Sequence, residues 1–169
     1  KYIMTINKTF STHNPGNFNR PGFEKDTDAY KSKGKLAAPA VCGQCGAVYY
    51  EGRWQWLNAP ANADPVTCPA CHRVNDNAPA GYVTLKGPFF ESHGEEIRRL
   101  IQHHAEHERS EHPLKRIIAF DIQAEALLVT TTDTHLARGI GEAIHHAYQG
   151  ELKVEHAAGE NLVRVYWTR

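Results

Sequence analysis

Net charge is the first thing this chain lacks. Nineteen Lys/Arg balance nineteen Asp/Glu over 169 residues, which excludes a surface that is basic throughout and attracts nucleic acid by bulk charge. Long apolar runs are missing too. Nothing approaches the roughly 20 residues that cross a bilayer as a helix, so the sequence predicts a soluble protein with no membrane partner, and nothing in it calls for DNA. Lys1 to Phe10 has no apolar stretch of the kind a secretory leader carries, and the expectation is a cytoplasmic protein whose thiols stay reduced. Catalytic signatures are absent as well. There is no G-x-S-x-G, no G-x-x-x-x-G-K-[ST] and no cysteine beyond four, so no nucleophile with its base can be nominated and the chain reads as non-enzymatic.

What is present starts with those cysteines. They form two matched C-x-x-C pairs, Cys42-Gly-Gln-Cys45 and Cys68-Pro-Ala-Cys71. Four soft thiolates converging on one ion leave no open position, which is the chemistry of a structural Zn²⁺. A disulfide framework would need an oxidising compartment, and a redox C-x-x-C usually stands alone. Knuckle turns are expected at both pairs, with Gly43 and Gly46 freeing the backbone at one and Pro69 presetting φ at the other. Between them, Val48 to Tyr50 and Arg53 to Trp56 flank Glu51-Gly52, a hairpin signal. The spacing predicts a zinc ribbon over residues 41–78, with one structural Zn²⁺ on Cys42, Cys45, Cys68 and Cys71. With Tyr49 nearby, the same cysteines are also similar to those of rubredoxins, which hold iron, although His72 stands where rubredoxins usually carry glycine.

Charge is zero in sum but uneven in place. Residues 1–40 carry seven Lys/Arg against three Asp/Glu, a net +4, while residues 41–80 stand at −1 and residues 81–169 at −3. The first segment has few aliphatic residues, no helical or strand period, and Pro-Gly turns at 15–16 and 21–22. Such a composition cannot bury enough apolar surface to offset its ordering entropy. It predicts an extended basic arm over residues 1–40, disordered when free. Within it Phe18, Phe23 and Tyr30 alternate with Arg20, Lys25, Lys31, Lys33 and Lys35. Rings can stack on exposed bases while cations neutralise phosphates, although a solvated linker would have the same composition. Arg53 beside Trp54 and Trp56 offers the same pairing on the hairpin.

Residues 79–169 read as an α+β domain of order β-α-β-β-α-β-β. Tyr82 to Lys86 alternates as a strand, and Phe89 to Glu111 carries Ile97, Leu100, Ile101 and Ala105 at helical spacing until Pro113. Leu114 to Phe120 and Ala126 to Thr131 should pair as a hairpin. Asp133 is a candidate N-cap for a helix whose apolar face is Leu136, Ile140 and Ile144, with Gly150 as its stop. His135 and Arg138 fall away from that face and are candidate RNA contacts. Gly139 and Gly141 interrupt the helix interior, which signals a close approach by a partner or by the sheet. Leu152 to Glu155 and Leu162 to Trp167 close the chain, and a split βαβ sheet with two helices on one face satisfies this order. His103 and His107 stand one turn apart, but without an H-E-x-x-H pattern they read as a wet face rather than a second metal site.

Three stretches together, Ser11 to Glu24, Cys42 to Cys71, and Thr131 to Ala143 with the terminal Leu162 to Trp167, resemble a bacterial zinc-ribbon family. The ribbon and the Thr131 stretch are also distantly similar to the archaeal and eukaryotic export adaptors of the large ribosomal subunit, which bind its intersubunit face. The resemblance implies a non-enzymatic partner of the ribosome and its RNA, on the large subunit, acting in assembly, hibernation or regulation of translation. A rubredoxin-like electron-transfer or protein-interaction module is the alternative of a different class, and it suits the acidic C-terminal segment.

Overall fold

The computed structural model describes residues 28–31, 36, 39–158 and 160–169. It is α+β, with three helices and two mixed sheets. The smaller sheet is built from β1 (Ala40–Cys42), β2 (Val48–Tyr50), β3 (Arg53–Gln55) and β4 (Asp64–Val66), in the order β3-β2-β1-β4. The expected hairpin is β2 with β3. Its two turn residues, Glu51 and Gly52, both have positive φ, +49° and +84°, the two-residue turn whose twist matches paired strands. Strand β4 joins β1 in parallel, and Pro65 is tolerated because β4 is an edge.

A helix, α1 (Pro69–Asn75), follows at once. This corrects the expectation of a second knuckle. Pro69 serves as the first residue of a helix, where its missing N–H costs nothing, and Cys68 is the N-cap, its sulfur accepting from the Cys71 N–H. Both sulfurs of the second pair are therefore presented from a helical first turn.

The larger sheet comprises β5 (Gly81–Lys86), β6 (Ile117–Gln123), β7 (Ala126–Thr131), β8 (Glu151–His156) and β9 (Val163–Thr168) in the order β6-β7-β5-β9-β8. Helices α2 (Pro88–Glu111) and α3 (Thr134–Tyr148) pack on its apolar face. The core runs from Val83 and Leu85 on β5 through Val129 on β7 and Val163, Val165 and Trp167 on β9 to Ile97 and Ile101 on α2 and Ile140 and Ile144 on α3. The last strand takes an inner place, parallel to β5 and antiparallel to β8. Its residues explain that choice. Val163, Val165 and Trp167 need full cover, whereas β8 alternates Leu152 and Val154 with Glu151, Lys153 and Glu155, and charge suits an edge strand.

The α3 glycines have intramolecular reasons. A Cβ on Gly141 would sit 2.5 Å from Val165 Cγ1, and one on Gly139 would sit 2.9 Å from His104 Nε2. Gly141 thus lets α3 close onto the sheet, and Gly139 makes room for a histidine of α2. Asp133 caps α3 as expected, its carboxylate accepting from the Leu136 N–H at 2.8 Å. No helix among the described residues is long and apolar enough to cross a membrane.

Among the described residues, the end of the hairpin meets α2, and Asp28 links α1 to the loop before β9. The Trp56 indole N–H donates to the Arg109 carbonyl near the end of α2, at 2.6 Å. Asp28 accepts from the Arg73 guanidinium at 2.6 Å through one oxygen and from the Asn161 amide at 3.0 Å through the other. Arg73 is only 7% exposed, and a cation so buried requires an anion. That requirement gives Asp28–Lys31 fixed contacts that the composition of the arm does not suggest. Tyr30 adds its ring, 4.5 Å from the Arg73 guanidinium carbon, and its hydroxyl donates to Asp76 at 3.0 Å.

Candidate metal centre

The first cysteine pair is positioned by a turn. Gly46 adopts φ +78°, its N–H donates to the Cys42 carbonyl at 2.9 Å, and the Cys42 N–H donates to Ala47 at 2.8 Å. Positive φ is readily reached only by glycine, so Gly46 is what folds Cys45 back beside Cys42. The second pair comes from α1. Cys42 and Cys71 lie 3.7 Å apart between sulfurs, as do Cys45 and Cys68, and all four ligand atoms fall within 4.8 Å of one another. A tetrahedral ion with Zn–S bonds of about 2.3 Å sets sulfurs about 3.8 Å apart. The donor set fits a tetrahedral thiophilic metal and is too open for disulfides, whose sulfurs meet at about 2.05 Å.

Cys42, Cys68 and Cys71 are buried and Cys45 is half-buried, so the site is closed to substrate. Burial pushes the Cys68 and Cys45 thiols up. At Cys42 burial acts in the same direction but is outweighed by the backbone N–H groups of Cys68, Cys45 and Gln44, which bring it down to about 6. The Cys68 N–H points at the Cys42 sulfur at 3.3 Å and the Cys71 N–H at the Cys68 sulfur at 3.4 Å. Such donors favour the thiolate form that a metal requires.

Arg116 completes the surroundings from the other sheet's side of the molecule. It lies just before β6, 45 positions from Cys71, and its guanidinium reaches the Cys71 sulfur at 3.1 Å and the Cys68 sulfur at 3.7 Å. Thr132 fixes its backbone. The hydroxyl accepts from the Arg116 N–H at 2.9 Å and donates to the Leu114 carbonyl at 2.6 Å, and Leu114 packs on the cysteine cluster. Nothing in the run Pro113 to Ile117 marks Arg116 as a thiolate partner; only the fold brings it there.

The candidate RNA contacts among the described residues are not brought into one cluster. Phe18, Arg20, Phe23, Lys25, Lys33 and Lys35 lie outside the described residues. Tyr30 is committed to Arg73 and Asp76, and Lys31 is exposed beside it. Trp54 is half-buried against the cysteine cluster and Tyr49, so its ring serves the core of the small sheet. Trp56 is 37% exposed, with its N–H used by Arg109. With Arg53, Leu57 and His112 it lines a cleft of ≈ 420 Å³ between the hairpin and the end of α2. His135 and Arg138 are exposed on α3, where Arg138 meets Glu142 at 3.6 Å. Among the described residues, the four cysteines are the one group arranged to hold a metal; His103 and His107 face solvent.

No family model, curated protein or solved structure matches this chain.

Proposed function

We propose that the chain is a non-enzymatic, zinc-stabilised protein that binds ribosomal RNA, on the large subunit, and acts in the cytoplasm on assembly, hibernation or regulation of translation. The small sheet is read as a zinc ribbon whose second cysteine pair sits on a helix, and the large sheet as a split βαβ unit extended by one inner strand. The observation that carries the non-catalytic part is the closed four-thiolate set. Cys42, Cys45, Cys68 and Cys71 would take all four positions of the ion, leaving none for water or substrate. Zinc there supplies folding energy, holding β1 and the hairpin to α1, while Arg116 ties that unit to the large sheet.

The RNA part is supported by charge placement and by the resemblance of the cysteine and Thr131 stretches. The net +4 of residues 1–40 can neutralise phosphates, and Arg53 with the part-exposed Trp56 sets a cation beside a ring. Affinity for ribosomal RNA should fall steeply as salt rises, and deleting residues 11–27, which spares Asp28 and Tyr30, should flatten that dependence. A folded, metal-loaded protein with no salt-sensitive affinity for ribosomes or RNA would end this reading. Elemental analysis tests the metal: one zinc per chain is expected, whereas iron and a red colour would turn the account toward electron transfer.

A further inference from the structure

Among the described residues, the large sheet carries helices α2 and α3 on one face only, where the core residues of β5, β7 and β9 share a single side. Strand alternation sends the intervening residues to the other side. There β5 presents Tyr82, Thr84 and Lys86, and its parallel neighbour β9 presents Arg164, Tyr166 and Thr168, paired Tyr82 to Arg164, Thr84 to Tyr166 and Lys86 to Thr168. We propose that this helix-free face is a platform for single-stranded RNA, with Tyr82 and Tyr166 stacking on two bases and Lys86 and Arg164 holding the flanking phosphates. The proposal rests on the RNA-binding reading above and assigns it a surface.

Geometry supports it first. Tyr82 and Tyr166 are diagonal neighbours on the two parallel strands, roughly 8 Å apart along the backbone from a strand spacing of about 4.8 Å and a rise of about 3.3 Å per residue. Both are half-buried, so their rings are held by neighbours and little side-chain freedom is left to lose on binding. The Arg164 guanidinium carbon lies 5.6 Å from the Tyr82 ring centre, placing a cation beside a stacking surface. Tyr166 lines a cleft of ≈ 390 Å³ with Thr84, Lys86 and Thr168 on its β5–β9 side and with Lys153, Glu151 and Glu155 on its β8 side, a concavity with an ammonium group and hydroxyls on one wall and carboxylates on the other.

Charge and composition then select the occupant. The outward positions of β5 and β9 hold two cations and no carboxylate, and those of β7, namely Ala126, Leu128 and Thr130, hold no charge. Acidic groups enter at the two edge strands, as Asp121 on β6 opposite Leu128 and as Glu151 and Glu155 on β8, where Glu155 stands opposite Arg164 and pairs with Lys153 at 2.7 Å, so the edge strands bound the platform. A protein partner would need a large apolar centre, and these three strands offer outward only Leu128 as an aliphatic side chain larger than alanine. Stacking rings interleaved with cations and hydroxyls are the means by which open sheets take unpaired RNA.

The test uses the full-length, metal-loaded protein and a fluorescein-labelled oligouridylate, with anisotropy read at several salt concentrations. Tyr82→Ala and Tyr166→Ala should each weaken binding about five- to hundredfold with the salt dependence unchanged. Tyr82→Phe and Tyr166→Phe, which keep the ring, should stay within about twofold of wild type. Lys86→Gln and Arg164→Gln should each lower the slope of log affinity against log salt by about one. Wild-type binding that survives both Ala substitutions overturns the platform alone. So does binding that is abolished by deleting residues 1–27 while the tyrosine variants behave as wild type, since the arm would then be the RNA contact. If the wild type binds neither this probe nor ribosomal RNA, the RNA-binding reading falls and the platform with it.

Discussion

Four thiolates around a divalent ion carry a double negative charge, and Arg116 lies where that excess is felt. Its guanidinium is 3.1 Å from the Cys71 sulfur; removing it leaves the excess charge facing Leu114 and the half-buried Trp54. Arg116→Gln should therefore lower zinc affinity by about 10–100-fold, the usual cost of losing an outer partner of a metal ligand, in competition with a chromophoric chelator. Unchanged affinity would reduce Arg116 to a packing residue. Asp28 makes a parallel case. Truncating it strands the buried Arg73, and Asp28→Ala should cost about 3 kcal/mol in urea unfolding, against near zero if the pair behaved as a surface contact. Neither residue was legible in the sequence. Arg116 sits in an ordinary basic run and Asp28 in a segment of arm composition, and each acquires its role from a partner at least 45 positions away. The cysteines were legible as a metal site because two matched C-x-x-C pairs mark one from spacing alone, although spacing leaves zinc and iron both open.

At the scale of elements, long periodic segments could be read and short ones could not. Helix α3, its Asp133 cap and the β2–β3 turn follow from local chemistry, and the alternation of β5, β7 and β9 marks their buried sides. Strands β1 and β4 have three residues each and α1 has seven, too few for a period to show. Pro69 is compatible with both a turn and a helix start, so the second knuckle expected there became α1. The two α3 glycines, equal in the sequence, separate here. Gly141→Ala drives a methyl to 2.5 Å from Val165 Cγ1 and 3.1 Å from Leu152 Cδ1, and overpacking of about 1–3 kcal/mol should exceed the ~1 kcal/mol gained in helix propensity. Gly139→Ala meets only the tip of the His104 side chain, which can turn aside. Thermal unfolding should place Gly141→Ala below wild type and Gly139→Ala level with it or above; the reverse order would mean that the helix, not its seat on the sheet, limits stability.

At the scale of the whole molecule, zero net charge hides a division of labour. The basic excess lies in residues 1–40 and the acidic excess in residues 81–169, so contact with a polyanion depends on which surface is presented. Asp28 and Tyr30 tie residues 28–31 to α1 and to the loop before β9, and Arg116, just before β6, reaches the cysteine cluster, where a metal in the four-cysteine site would add to that tie. On the reading proposed above, the cations of the first segment and the open sheet face would serve a single RNA partner. Sedimentation of a cell extract through a sucrose gradient at low salt, with the protein followed by antibody, tests this most directly. The account predicts migration with the large-subunit or whole-ribosome fractions and release to the top of the gradient when salt is raised. A protein that stays at the top at low salt, folded and carrying its zinc, would contradict it.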